Sequence, residues 1–225
     1  MSSETEATLV RVEPESTPST CIIWLHGLGA DGYDFEPIIP YLKLPKSSAV
    51  RFLFPHAEVM PVTVNGGAPM RAWYDILEMN VGRKVDKATL IASSERIQRL
   101  IDEQIAEGIP ADKILLAGFS QGGAVAYHAA LTYPKSLAGL VALSTYMATA
   151  EEIKLQRQSS NYQIPIWVAH GERDEVVQLA LGEQALTALK DMNYNALWTT
   201  YPMGHEVMME EIEALGCWMA QQLKL

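Results

Sequence analysis

The chain has 225 residues, 48% of them hydrophobic and 20% charged, with a formal net charge of −10. Those values describe a globular protein rather than a disordered or fibrous one. The acidic balance argues against a nucleic-acid partner, which needs clustered Lys and Arg to neutralise phosphates. The longest basic cluster, Arg83-Lys84 with Lys87, is too thin for that.

Residues 1–20 read as an N-terminal extension, with residues 9–12 (LVRV) as a candidate edge strand. They lack the apolar core of a signal peptide. No stretch of the chain approaches the ~18 apolar residues of a membrane-spanning helix, so a cytoplasmic location is expected. Residues 21–225 carry no linker-like tract and are predicted to form a single domain. Its first element is the apolar run 21–25 (CIIWL), a predicted strand. Cys21 opens that run and Cys217 sits in a helical pattern, so both are predicted to be buried free thiols.

The strand leads into His26-Gly27-Leu28-Gly29-Ala30-Asp31-Gly32, which satisfies G-x-G-x-x-G, the dinucleotide fingerprint. That motif needs its helix to start within the glycines, so that a pyrophosphate meets the helix N-terminus. Here Asp34 reads as the helix cap, with Pro37 in the first turn, which is too late. The next predicted strand, 50–54 (VRFLF), runs into Pro55-His56 and offers no acid for a ribose hydroxyl. Residues 55–84 then break the alternation, with Pro61, Gly66, Gly67 and Pro69 interrupting any regular element. Their hydrophobics (Met60, Val62, Val64, Met70, Trp73, Tyr74) predict a packed flap beside a binding site.

A helical stripe follows at Ile97, Leu100, Ile101 and Ile105, then the strand 114–119 (ILLAGF). Gly118-Phe119-Ser120-Gln121-Gly122 matches G-x-S-x-G between that strand and the helical run AVAYHAAL. A serine on such a tight turn has a strained backbone and an exposed hydroxyl at the carboxyl end of the sheet. Strands are predicted at 137–143, 164–169 and 196–201. A final helix is marked by Met208, Ile212, Leu215, Met219 and Leu223. Strands alternating with helices imply right-handed β-α-β units, hence an α/β class with a mostly parallel central sheet flanked by helices. Nothing suggests a large cap domain.

A serine hydroxyl is a weak nucleophile until a base takes its proton. The expected order in such a fold is Ser, acid, His. Of the five histidines, only His170 and His205 follow the serine at loop positions. His205, in PMGHE after the last strand, is the predicted base, and His170 a support for the preceding turn. Glu172, Asp174 and Glu175 compete for the acid. Asp174 is preferred because Val176-Val177 would anchor its loop. The oxyanion of an acyl-transfer intermediate needs two donors. The N–H of Gln121 and that of Leu28, in the HGLG loop, are the candidates.

Together HGLGADGYDF, VTVNGG, WYDI, GFSQGG, HGERDEVV and YPMGHE resemble the phospholipase/carboxylesterase family, which includes acyl-protein thioesterases and small bacterial carboxylesterases. The resemblance runs from about residue 21 to the C-terminus. It implies an α/β-hydrolase fold, a triad of Ser120, Asp174 and His205, and Leu28 and Gln121 as oxyanion donors. It further implies an apolar acyl channel bordered by the flap, with Trp73, Met70 and Val64 meeting the acyl chain. The expected activity is hydrolysis of carboxylic esters of short-to-medium acyl chains, with thioesters and lysophospholipids as further substrates. The different-class alternative is a catalytically silent acyl-chain-binding protein. No metal and no cofactor are expected. The partner is a small ester or acyl-chain substrate, and apolar flap residues could equally serve a homodimer contact.

Overall fold

The computed structural model describes residues 8–45, 47–79 and 83–225. The first seven residues of the predicted N-terminal extension, and part of the predicted flap, lie outside the described residues. The runs richest in apolar residues became the central strands: β2 (Thr20–Leu25), β3 (Val50–Pro55), β8 (Ile114–Phe119), β9 (Gly139–Leu143) and β10 (Ile166–Gly171). All are buried along essentially their whole length, as continuous apolar runs are when layers cover both sheet faces. The seven-stranded sheet runs β1-β3-β2-β8-β9-β10-β11, with β1 (Leu9–Val12) antiparallel on one edge and β11 (Ala196–Tyr201) half-buried on the other.

Alternation along the strands divides the core into two layers. Ile23, Leu25, Leu116, Leu140 and Val168 face helices α1 (Lys87–Ala106), α2 (Gln121–Leu131), α3 (Ala150–Gln156) and α4 (Leu179–Asp191). Ile22, Trp24, Leu115, Val141 and Ala169 face α5 (Met209–Leu223) and the 3-10 stretch Glu36–Leu42. The predicted stripe of α1 is buried at Ile97, Leu100 and Ile101, and α1 starts on Asp86, whose carboxylate accepts from the Ala88 and Thr89 N–H groups. That cap contributes about 1 kcal/mol. α2 has every residue buried, which makes it the central helix of its layer.

Chain direction across the sheet reverses after β3: β2 leads outward to β3, and the chain then returns to β8 on the other side of β2. Crevices at such switch points are where open α/β sheets bind ligands. The register puts Leu25 beside Gly118 and Gly171 beside Tyr201, so four loops leave the carboxyl edge in neighbouring pairs.

Three expectations need correction. Cys217 is exposed, on the solvent side of α5, whereas Cys21 is buried, with burial holding its thiol well above the ordinary range. The predicted helix capped at Asp34 is instead a pair of 3-10 segments. Asp31 caps the first by accepting from the Tyr33 N–H, and Pro37 stands in the first turn of the second. The region read as an irregular flap contains a small hairpin, β4 (Val59–Val62) with β5 (Ala68–Arg71), and an antiparallel strand pair, β6 (Ile76–Glu78) with β7 (Lys84–Val85).

Glu211, in the first turn of α5, is fully buried, and neither carboxyl oxygen has a hydrogen-bond partner among the described residues. Burial pushes its pKa up to about 8, against a smaller opposing contribution from the Met208 backbone. The folded chain therefore holds a proton that the unfolded chain releases near pH ~4.3. Stability from this group is highest below that value, falls as pH rises, and levels off above about 8. Glu211→Gln removes the titration. Calorimetry at pH 5 and pH 8 should show a smaller Tm drop for the variant than for the wild type; equal drops would contradict the assignment.

Candidate active site

Ser120 is the residue between β8 and α2, and its backbone is unusual, with φ 54° and ψ −120°. Such a conformation costs of order 1–3 kcal/mol and persists only where its surroundings enforce it. Here they do. The Ser120 N–H donates to the Leu143 carbonyl, and the Ser120 carbonyl accepts from the Gly123 N–H at 3.0 Å and the Thr145 hydroxyl at 2.6 Å. The flanking glycines are needed for close approach. A Cβ on Gly118 would lie 2.5 Å from the Gly122 carbonyl oxygen, and one on Gly122 would lie 2.5 Å from that of His26.

His205 reaches over from the loop after β11, and its Nε2 lies 2.9 Å from the Ser120 Oγ. Its other nitrogen, Nδ1, lies 2.7 Å from Oδ2 of Asp174, on the loop after β10. The second carboxylate oxygen, Oδ1, accepts from the N–H groups of Val176 and Val177 at 2.9 and 2.7 Å. Burial of Asp174 opposes ionisation, but the His205 hydrogen bond and these two N–H groups outweigh it and hold the pKa below the usual carboxylate range. An ionised Asp174 accepts from Nδ1–H, so Nε2 carries the lone pair that accepts from the serine hydroxyl. The competing acids lie elsewhere: Glu172 accepts from the Thr200 hydroxyl, and Glu175 is exposed.

His170 is buried, and its Nε2–H donates to the Val177 carbonyl at 2.7 Å, bracing the loop that bears Asp174. His26 plays a similar part under the HGLG loop. The Ala57 N–H donates to its Nε2, which places the proton on Nδ1, donating to the Gly27 carbonyl at 2.7 Å. Burial lowers the His26 pKa to about 4, so the ring stays neutral and keeps this tautomer. The loop is thereby held beside Ser120. Neither the Leu28 N–H nor the Gln121 N–H donates to a protein acceptor among the described residues.

The side chain of Gln121 is a feature that sequence reasoning missed. Its Oε1 accepts from the Trp73 backbone N–H at 2.8 Å and its Nε2 donates to the Tyr74 carbonyl at 2.7 Å. This ties the segment after β5 to the serine turn. Trp73 itself is 1% exposed, packs on the His26 ring, and donates its indole N–H to the His26 carbonyl. It therefore stands behind the pocket wall, which is a correction to its predicted contact with an acyl chain. Met70 also lies off the wall, with its sulfur accepting from the Asn65 amide.

The pocket at Ser120 and His205 has a volume of about 340 Å³. Val64 lines it, with Leu28, Ile76, Met79, Phe119 and Val176 making the rest of an apolar wall. Phe119 packs on the His205 ring with centroids 4.8 Å apart. A larger hollow of about 1180 Å³ along residues 12–16 and 39–52 shares no residue with this site. Among the described residues, no group of three or more His, Cys, Asp or Glu is placed to hold a metal ion.

The family model for Phospholipase/Carboxylesterase matches residues 7–221. The chain belongs to the phospholipase/carboxylesterase family. Within it, the chain is 35% identical over 231 residues to acyl-protein thioesterase 1 of Neurospora crassa, covering 96% of this chain and 94% of that one. It is also 35% identical to carboxylesterase SOBER1 of Arabidopsis thaliana, covering 91% of each. The crystal structure of SOBER1 superposes with a TM-score of 0.86 at 34% identity, over 91% of this chain and 99% of that one. Acyl-protein thioesterase 2 of Zea mays superposes with a TM-score of 0.84 at 29% identity, over 96% and 98%. The phospholipase/carboxylesterase fold here is the α/β-hydrolase arrangement with no large cap, and among the described residues no helix is long and apolar enough to cross a membrane.

Proposed function

We propose that this chain is a serine carboxylesterase that hydrolyses carboxylic esters of short-to-medium acyl chains, and thioesters by the same chemistry. One observation carries the reading: an unbroken hydrogen-bond chain from Ser120 through His205 to Asp174, at 2.9 and 2.7 Å, opening into a mainly apolar pocket. The Ser120 Oγ attacks the carbonyl carbon as its proton passes to Nε2 of His205. Asp174 stabilises the imidazolium that forms. The carbonyl oxygen becomes an oxyanion held by the Leu28 and Gln121 N–H groups, and the N-terminal end of α2 adds its positive dipole. As the intermediate collapses, His205 returns the proton to the departing alcohol or thiol. Water then attacks the acyl-serine with His205 as base, releasing the acid and restoring Ser120.

Relatives named acyl-protein thioesterase favour thioesters as a second substrate class. The decisive comparison is turnover of an ester, a thioester and an amide sharing one acyl group. Saturable hydrolysis of the ester and thioester, with the amide much slower, is expected. An absence of turnover with fatty-acid binding retained would instead support a silent acyl-chain-binding protein.

A further inference from the structure

The pocket beside Ser120 carries a cation for which ester hydrolysis as such has no use. Arg83 lines the wall with Met79, Tyr146 and Val176. Its guanidinium sits over the Tyr146 ring, 5.0 Å from the centroid, and donates to the Val176 carbonyl. Beneath it, the hydroxyls of Tyr146 and Tyr74 are hydrogen-bonded at 2.7 Å and both rings are buried, so the platform is rigid. An aromatic face and a carbonyl hold the side chain in place without neutralising it. Asp34, a carboxylate on the same pocket wall, makes no ion pair with it among the described residues.

A guanidinium offers five N–H donors in a fixed fork that matches a carboxylate. With one of them committed to Val176, others remain for an anion entering the pocket, where hydrogen bonds between charged partners are strongest. We propose that Arg83 is a specificity-determining residue that selects esters and thioesters carrying a carboxylate within reach of the reacting carbonyl. This rests on the hydrolase reading above.

The test compares kcat/KM for p-nitrophenyl butyrate, p-nitrophenyl hemiglutarate and 4-butyryloxybenzoate in the wild type, Arg83→Gln and Arg83→Lys. The first substrate is neutral, the second carries its carboxylate on the acyl group, and the third on the leaving group. Ratios of anionic to neutral substrate cancel any loss common to both. For at least one anionic substrate, Arg83→Gln should lower the ratio by about tenfold or more, the scale of a hydrogen bond to a charged group. The loss should fall mainly on KM, and Arg83→Lys should restore part of it. The substrate showing the effect identifies which side of the scissile bond faces Arg83. Ratios unchanged in Arg83→Gln for both anionic substrates would overturn the proposal while leaving the hydrolase reading intact. A wild type that cleaves none of the three would overturn the hydrolase reading and this proposal with it.

Discussion

Ser120→Ala is expected to lower kcat for a p-nitrophenyl ester by about 10⁴- to 10⁶-fold while leaving the protein folded, the effect that loss of the nucleophile has in serine hydrolases with a Ser-His-Asp triad. The variant keeps the Leu28 and Gln121 N–H groups and the pocket, so a small residual rate over uncatalysed hydrolysis should persist. Asp174→Asn should lower kcat by about 10⁴-fold for a different reason. An amide facing Nδ1 of His205 no longer requires a proton there, and the ring then presents Nε2–H to Ser120 instead of a lone pair. Stopped assays over a long time base resolve both variants. A Ser120→Ala rate within tenfold of wild type would contradict the assignment of the nucleophile.

Gly122→Ala is expected to cost about 3 kcal/mol of stability or more, at the upper end of what overpacking does. The added methyl would meet backbone on two sides, 2.5 Å from the His26 carbonyl oxygen and 2.6 Å from that of Leu25. Neither neighbour is a flexible side-chain end, so α2 must move away from β2. That motion separates the Gln121 N–H from the HGLG loop, and activity should fall along with stability. Gly67→Ala is the control. Its methyl meets nothing within 4 Å, and only its positive φ of 77° is strained, a cost of about 1–2 kcal/mol. Urea midpoints measure both; equal losses in the two variants would contradict the close-approach account.

The parts of the site that were legible in the sequence are those in which local pattern determines geometry. A continuous apolar run, a G-x-S-x-G turn and a helical run are adjacent in the chain, and they place Ser120 at the carboxyl edge of the sheet. His205 follows from loop position in the same way. The acid is harder, because Glu172, Asp174 and Glu175 share one loop. What distinguishes Asp174 is backbone: its short side chain accepts from the Val176 and Val177 N–H groups with one oxygen while the other meets His205. Anchoring by both valine side chains is the sequence expectation, but only Val177 is buried, while Val176 is 48% exposed at the pocket.

The flap was the least legible segment. Asn65-Gly66-Gly67 between Val62 and Ala68 is a hairpin signal, and it marks the β4–β5 turn that Pro61 and Pro69 obscured. The family resemblance implies an acyl-facing Trp73, and nothing in the sequence shows that its indole N–H is committed to the His26 carbonyl. Arg83 read only as part of a thin basic cluster. Its place on the pocket wall depends on contacts with Tyr146 and Val176, 63 and 93 residues further along the chain.

The most direct test of the central claim is covalent labelling with a fluorophosphonate, read by intact mass and peptide mapping. One adduct per chain on Ser120 is expected, with no labelling of Ser120→Ala and strongly slowed labelling of Asp174→Asn. An adduct on any other residue, or a wild type that stays unlabelled while cleaving esters, would contradict a Ser120–His205–Asp174 mechanism.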